Sequence, residues 1–354
     1  MGQKLLMKGN EAIAEAAIRA GCLHYFGYPI TPQTEIAHYM AKKLPKVGGV
    51  FLQAESEVAA INMVYGAGST GTRVMTSSSS PGISLKQEGL SYLAGSEVPA
   101  VVVNIVRGGP GLGGIQPAQS DYFQATKGGG HGDYKQIVLA PSSVQELYEL
   151  TVEAFNLADR YRIVVMVMGD GILGQMMEVV EFRDKEPIER PDAPWATTGH
   201  GCERSQNVIT SIHLSPAVLE KMNLSRLEKY KQIEEKECRY ELFNDEDAEF
   251  FIVAYGTVAR IAKSVIETAR QEGLNVGLIR PVTLWPFPRK AIDKVMGTAK
   301  AFLTVEMSAG QMLEDVMLSV CGRKPVYFHG RMGGMVPAKE DILQKLREMK
   351  EQLG

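Results

Sequence analysis

The chain has 354 residues, 45% of them hydrophobic and 22% charged, with a net charge of -3; this is the composition of a globular protein long enough for two domains with separate cores. The near-neutral balance gives no electrostatic drive toward nucleic acid or an anionic membrane surface. No apolar run approaches the roughly 20 residues of a membrane span, and the opening MGQKLLMKGNEAIAEAA has no secretory core or cleavage site, so the expected location is the cytoplasm.

In chain order, Asn10 is placed to cap a helix carrying Ile13, Ala16, Ala17 and Ala20, which Gly21 ends. Apolar or β-branched runs follow at 23–28 (LHYFGY), 49–54 (GVFLQA), 73–78 (RVMTSS), 100–106 (AVVVNIV), 136–140 (QIVLA) and 162–168 (RIVVMVM). Helical stretches such as TPQTEIAHYMAKKL, SEVAAINMVYGAG and SSVQELYELTVEAFNLADRY separate most of them. Strands this uniformly apolar are buried on both faces, which predicts a parallel, doubly wound α/β sheet over residues 1–183.

Residues 184–246 break the rhythm. They open around RDKEPIERPDAPW and run on to RLEKYKQIEEKECRYELFNDED, which reads as an extended crossover followed by one charged helix. Alternation resumes over residues 247–354: FFIVAYG, a helix from Thr257 to about Glu272, NVGLIRPVTLWPF, AFLTVEM, the helix GQMLEDVMLSV, PVYFHG and a closing amphipathic helix EDILQKLREMKEQL. Four strands with covering helices predict a second, smaller α/β domain. Cys22, Cys202, Cys238 and Cys321 stand singly, with no C-x-x-C and no histidine at ligand spacing. Neither zinc nor an iron-sulfur cluster is expected on this chain.

Ligands of open α/β sheets collect outside the carboxyl ends of the strands, and four turns there carry polar chemistry. In GYPITPQT, Pro29 and Pro32 stiffen the backbone. Thr31 reads either as the N-cap of a helix starting at Pro32 or as a hydroxyl held rigidly over a pocket. In AESEVAAINMVYG, Ser56 is the expected N-cap, and Glu55 and Glu57 lie where the helix dipole favours a carboxylate. The residues that follow are nearly all small or apolar, so the acid either enters a buried helix or stands solvated at its end. The turn TSSSSPG, with Ser79, Ser80 and Gly82, can bind an anion or simply cap and turn. In VVVNIVRGGPGLGGIQPAQSD a strand delivers Arg107 to the sheet edge, followed by five glycines in seven residues. That is either an exposed guanidinium fork suited to a carboxylate or a surface arginine over a flexible loop.

The order of these pieces resembles one family: YPITP, S-E-x-A-A, the S-P-G turn, R-G-G-P-x-x-G, H-G-D at 131–133 and V-x-L-A-P-S. It looks like the α subunit of the 2-oxoacid:ferredoxin oxidoreductases, and AYGTVAR, GLIRPVTLWPFP and VEMSAGQM look like that subunit's transketolase C-terminal-like domain. By length and order the chain is most similar to the 2-oxoisovalerate (3-methyl-2-oxobutanoate) member. The resemblance implies oxidative decarboxylation of a 2-oxo acid to acyl-CoA, with coenzyme A as co-substrate and electrons passing through iron-sulfur clusters to ferredoxin. It implies a pyrimidine-binding-type domain that holds part of thiamine diphosphate, with Glu57 matching the acid at the aminopyrimidine ring. A carboxyl hydrogen-bonded to that ring nitrogen favours the imino tautomer, whose nitrogen can take the thiazolium C2 proton. Thr31 matches a substrate-contacting threonine, and Arg107 the arginine that pairs with the substrate carboxylate. Pro29, Ser79, Ser80 and Gly82 match cofactor-contacting positions. Implied partners are a thiamine-diphosphate-binding β subunit, an iron-sulfur ferredoxin-like subunit, a γ subunit and ferredoxin, the clusters being on partners only.

MGDGILG (168–174) raises a separate question, because Gly-Asp-Gly after an apolar strand opens the signature that grips Mg²⁺ and the diphosphate of this cofactor. That signature needs an Asn roughly 25 to 30 residues on, after a mostly apolar helix. Beyond Asp170 the chain meets charges and three prolines, and the next Asn is Asn207; no helix crosses that stretch. Asp170 is therefore expected to be a cap or turn residue, with no metal ligand on this chain and the Mg²⁺ and diphosphate on the β subunit. Two departures from the family pattern stand out. Ser308 occupies a position where relatives often carry Asn. GLGGIQPAQSD lacks the basic residue expected for a second substrate carboxylate, which favours branched-chain 2-oxo acids, then pyruvate, over 2-oxoglutarate. The competing readings are a β-type subunit of a lipoamide-linked 2-oxoacid dehydrogenase and a Rossmann-like ligand-binding protein. YPITP and R-G-G-P oppose the first, and the absence of G-x-G-x-x-G after the first strand opposes the second.

Overall fold

The computed structural model describes residues 3–184 and 186–353; Lys185, inside the expected crossover, lies outside them. Among these residues a seven-stranded sheet runs in the spatial order Thr283–Trp285, Ile137–Leu139, Val164–Asp170, Ala100–Val106, Val74–Ser78, His24–Gly27, Val50–Gln53. Six of the strands are parallel, as their apolar composition predicts, and Val74–Ser78, Ala100–Val106 and Val164–Asp170 are buried along their whole length. The helices pack in groups, Gly9–Arg19 against Val144–Tyr161 and Glu57–Gly68 against Pro81–Gly95.

Several elements differ from the sequence expectation. Asn10 does not cap the first helix; it lies inside it, fully buried, and its amide donates to Pro32 O (2.7 Å) and Glu35 Oε2 (2.8 Å). Gly21 does follow the end of that helix, at φ +78°, the left-handed conformation that closes helices. Lys4–Lys8 and Met177–Glu181 pair antiparallel as a separate two-stranded ribbon. The charged helix spans Pro216–Lys236 and stops before Tyr240–Phe243, which is a strand.

The second sheet accordingly has five strands rather than four, in the order Val326–Gly330, Ala301–Glu306, Phe250–Val253, Val276–Pro281, Tyr240–Phe243, the last antiparallel. The run NVGLIRPVTLWPF splits. Val276–Pro281 stays in this sheet, while Thr283–Trp285 crosses to pair antiparallel with Ile137–Leu139 at the edge of the larger one.

One buried ionic network anchors the larger sheet. The Arg73 side chain is fully buried and donates to Asp159 Oδ2 (2.8 Å), Ala20 O (2.5 Å), Asn156 Oδ1 (2.9 Å) and Glu189 O (2.6 Å). Truncation would leave Asp159, Ala20 O and Glu189 O without their donor, while Asn156 Oδ1 keeps Glu189 N (3.0 Å). Arg73→Ala is expected to lower the unfolding free energy by roughly 3 to 5 kcal/mol, read from the urea midpoint; a midpoint unchanged within error would show the network to be energetically idle.

Candidate active site

The four polar turns converge at the carboxyl edge of the larger sheet. Helix Glu57–Gly68 begins where expected, with Ser56 Oγ accepting from Ala59 N (3.2 Å). This phase decides between the two acids: Glu55 faces solvent, whereas Glu57 is 5% exposed. The helix itself is only partly buried, since Val58 (43% exposed), Asn62 and Gly66 form an open face on this chain. The Glu57 carboxylate lies against the next helix, Pro81–Gly95. A Cβ on Gly82 would stand 2.6 Å from Glu57 Oε1 and collide with Ser78 Oγ. Position 82 thus needs glycine for close approach, and the described residues give the Glu57 carboxylate no hydrogen-bond partner.

The serine turn is divided in function. Ser77 is consumed internally, between Tyr25 Oη (2.6 Å) and Gln33 Oε1 (2.5 Å). Ser78 and Ser79 carry buried hydroxyls without partners. Ser80, the residue before Pro81, adopts φ +24° and ψ -81°, outside the ordinary regions for an L residue. Its amide donates to Asn104 Oδ1 (3.2 Å) and its hydroxyl to Asp121 Oδ2 (2.7 Å), and the hydroxyl accepts from Arg107 N (3.0 Å). Asn104 Nδ2 also donates to Asp121 (2.8 Å). Burial pushes the Asp121 carboxyl up, against the pull of Asn104 and Ser80. Asn104 and Asp121 escaped the sequence reading. The available signal was Asn104 itself, one amide in the otherwise apolar strand AVVVNIV.

Thr31 and Arg107 come together, but not as the residue types alone suggest. Thr31 caps nothing: the helix starts at Thr34 behind Gln33, and Thr31 lies exposed in the preceding turn. Pro29 is half-buried in the same turn. Arg107 is 6% exposed, which corrects the expectation of an open guanidinium. Its Nη1 donates to Thr31 O (2.9 Å) and its Nη2 to Leu112 O (2.9 Å), while Nε is buried without a partner. The arginine thereby clamps the glycine-rich loop to the Thr31 turn. His131, Gly132 and Asp133 are exposed.

The glycine-rich segment is also sewn to the second sheet. Gln119 N donates to Met307 O, its side chain accepts from Met307 N (2.9 Å) and donates to Tyr255 O (3.0 Å). Ser308 finds its role here. Its hydroxyl donates to the buried Glu306 (2.6 Å), whose carboxylate accepts from Met312 N and Leu313 N at the start of helix Gln311–Val320. Gln311 on that helix donates to Ser120 O (2.7 Å). Asp170 is an N-cap: Oδ1 accepts from Ile172 N (2.9 Å) and Leu173 N (3.2 Å), and burial raises its pKa. Among the described residues no three His, Cys, Asp or Glu side chains gather at metal-ligand spacing, and no helix is long and apolar enough to cross a membrane.

The partnerless Glu57 carboxylate, the orphan hydroxyls of Ser78 and Ser79 and the bare Gly82 backbone fit the polar edge of an aminopyrimidine ring. Residues 15–241 match the family described as pyruvate flavodoxin/ferredoxin oxidoreductase, thiamine diphosphate-binding, and residues 248–342 match the pyruvate:ferredoxin oxidoreductase core domain II. The chain belongs to the 2-oxoacid:ferredoxin oxidoreductase family. Within the family it is 53% identical to ketoisovalerate oxidoreductase subunit VorB of Methanothermobacter thermautotrophicus, over 97% of both chains. It is 36% identical to 2-oxoglutarate synthase subunit KorA of the same organism, over 99% of this chain and 100% of the other. The 2-oxoglutarate:ferredoxin oxidoreductase of Magnetococcus marinus, solved with 2-oxoglutarate, coenzyme A and succinyl-CoA bound, matches the whole chain at a TM-score of 0.89 and 30% identity; this chain spans 66% of that one. A split-gene transketolase shares the fold, with a TM-score of 0.62 at 13% identity.

Proposed function

We propose that this chain is the α subunit of a thiamine-diphosphate-dependent oxidoreductase that converts a branched-chain 2-oxo acid and coenzyme A to the acyl-CoA, passing electrons to ferredoxin. In this reading it carries the pyrimidine half of the cofactor site. A β subunit holds the diphosphate and Mg²⁺, and partner subunits hold the iron-sulfur clusters. The observation that carries it is the buried Glu57 carboxylate, left without a protein partner against a glycine that keeps its approach clear.

When bound, thiamine diphosphate supplies the thiazolium carbon at which a 2-oxo acid loses carbon dioxide. Glu57 holds or releases a proton at its carboxylate oxygen toward the ring nitrogen. Ser79 offers an orphan hydroxyl and Gly82 an open backbone beside it, while Ser80 fixes the shape of the turn through Arg107 and Asp121. Pro29 stiffens the turn that presents Thr31. The Thr31 hydroxyl and the unspent hydrogens of Arg107 orient the substrate carboxylate. A neutral substrate side chain is supported by the segment from Gly108 to Ser120, which has no cation and exposes Leu112 and Ile115, and by the 53% identity to a ketoisovalerate oxidoreductase subunit.

Expression of the chain with its partner subunits, followed by viologen-dye assays with 3-methyl-2-oxobutanoate, pyruvate and 2-oxoglutarate, tests this reading. Dye reduction is expected to depend on coenzyme A and to be fastest with the branched-chain acid, and the isolated chain is expected to be inactive. Acyl-CoA formation by the isolated chain would overturn the division of the cofactor site. A complex that contained a lipoyl protein instead of an iron-sulfur subunit would overturn the acceptor.

A further inference from the structure

Lys86 is the only fully buried lysine among the described residues, and its Nζ has neither a hydrogen-bond nor an ion-pair partner. It sits on helix Pro81–Gly95, four residues after Gly82 and three before Gly89, so the three share one helix face. That face meets helix Glu57–Gly68. Gly82 abuts the Glu57 carboxylate, and a Cβ on Gly89 would collide with Ile61. The glycines let the two helices close together, and Lys86, fully buried, lies on that face between the two contact points.

Packing does not account for a lysine there. A methionine has a similar stem and would bring no ammonium into a dry helix interface, where an unpaired charge is destabilising. Burial pushes the Lys86 ammonium down to about 8, and the field of Glu57 works in the opposite direction. No other charged group reaches it. Helix Glu57–Gly68 has no second charge, strands Val74–Ser78 and Ala100–Val106 have none, strand Val164–Asp170 brings only Asp170, whose carboxylate caps Ile172 N and Leu173 N, Glu88 on its own helix faces solvent, and His131 and Asp133, in the loop packed on Gln87, are exposed.

We infer that Lys86 is a positioning residue for cofactor activation: a dry cation behind Glu57 that stabilises the ionised carboxylate and so favours residence of the shared proton on the ring nitrogen facing it. This rests on the assignment of Glu57 given above. The sign follows directly. Below about pH 8 Lys86 is charged and supports the ionised glutamate; above it the support is withdrawn.

Two measurements test the inference. In the full chain labelled with ¹³C at lysine Cε, the resonance lost in Lys86→Met is expected to titrate near pH 8, where an ordinary lysine titrates near about 10.4. In Glu57→Gln the midpoint is expected to fall by at least about half a unit, since the opposing field is gone. An ordinary midpoint, or one indifferent to Glu57→Gln, overturns the coupling. In the assembled complex, Lys86→Met is expected to slow C2 proton exchange about tenfold below pH 8, one pKa unit of lost preference, and to erase a descending limb near pH 8, whereas Lys86→Arg, which stays charged, is expected to keep the fast rate and lose the limb. If Glu57→Gln abolishes exchange while Lys86→Met leaves the profile unmoved, the inference fails and the Glu57 assignment stands. If Glu57→Gln itself leaves exchange untouched, the assignment fails.

Discussion

Glu57→Gln is expected to lower C2 proton exchange of the bound cofactor by about 10²- to 10⁴-fold, the range a single acid-base group contributes, while the complex still assembles. Glutamine keeps the shape of the side chain, so the approach past Gly82 is preserved, and the helix cap made by Ser56 Oγ to Ala59 N is untouched. The substitution also removes a negative charge from the first helical turn, worth at most about 1 kcal/mol to the fold. The rate loss corresponds to about 2.7 to 5.5 kcal/mol at 1.36 kcal/mol per decade, so the chemical effect dominates any effect on stability. Proton-deuterium exchange followed by NMR reads the first quantity, and gel filtration of the co-expressed subunits reads the second. A wild-type exchange rate in an intact complex would take Glu57 out of the chemistry.

Of the residues behind this prediction, Ser56 was legible as the N-cap of its helix, but the helix start alone left Glu55 and Glu57 both beside the dipole; the family resemblance pointed to Glu57, and the burial of its side chain separates the two. The six parallel strands were legible in their composition, since burial on both faces demands unbroken apolar residues and AVVVNIV has little alternative. What escaped depends on partners distant in sequence. Lys4–Lys8 is a strand only because Met177–Glu181 pairs with it, and its own pattern is largely exposed. Tyr240–Phe243 follows a charged helix without a turn signal and becomes a strand only by adding to Val276–Pro281. Thr283–Trp285 is continuous in composition with the strand before it, and nothing local says that it changes sheets.

In the site, the same limit hid Lys86. A lysine in a helix ordinarily marks the solvent face, and only the glycines at 82 and 89, each pressed on the neighbouring helix, identify its face as an interior one. Arg107 shows the opposite error. Five nearby glycines suggested openness, but the loop folds back so that Leu112 O caps the guanidinium. A glycine run describes which backbone paths are permitted, not which one tertiary contacts select.

The arginine gives the second large effect. Arg107→Ala is expected to raise KM for the 2-oxo acid about 10- to 150-fold, the equivalent of a charge-assisted carboxylate interaction worth about 1.5 to 3 kcal/mol. Of the five guanidinium hydrogens, the carbonyls of Thr31 and Leu112 accept one each, and the buried Nε hydrogen has no acceptor. The carbonyl contacts aim the fork, and the remaining hydrogens are free for a carboxylate. Because this contact is made before and during reaction alike, its loss should appear mainly in KM, with kcat reduced less. Truncation also frees the glycine-rich loop from the Thr31 turn, so a general loosening must be distinguished from loss of the carboxylate. KM for coenzyme A is the control: it should stay within a factor of two or so if Arg107 acts on the 2-oxo acid alone. Arg107→Lys should recover little, since one ammonium cannot hold both carbonyls and still present a planar pair of donors. An unaltered KM for the 2-oxo acid in Arg107→Ala would place the carboxylate elsewhere and leave Arg107 as a loop clamp only.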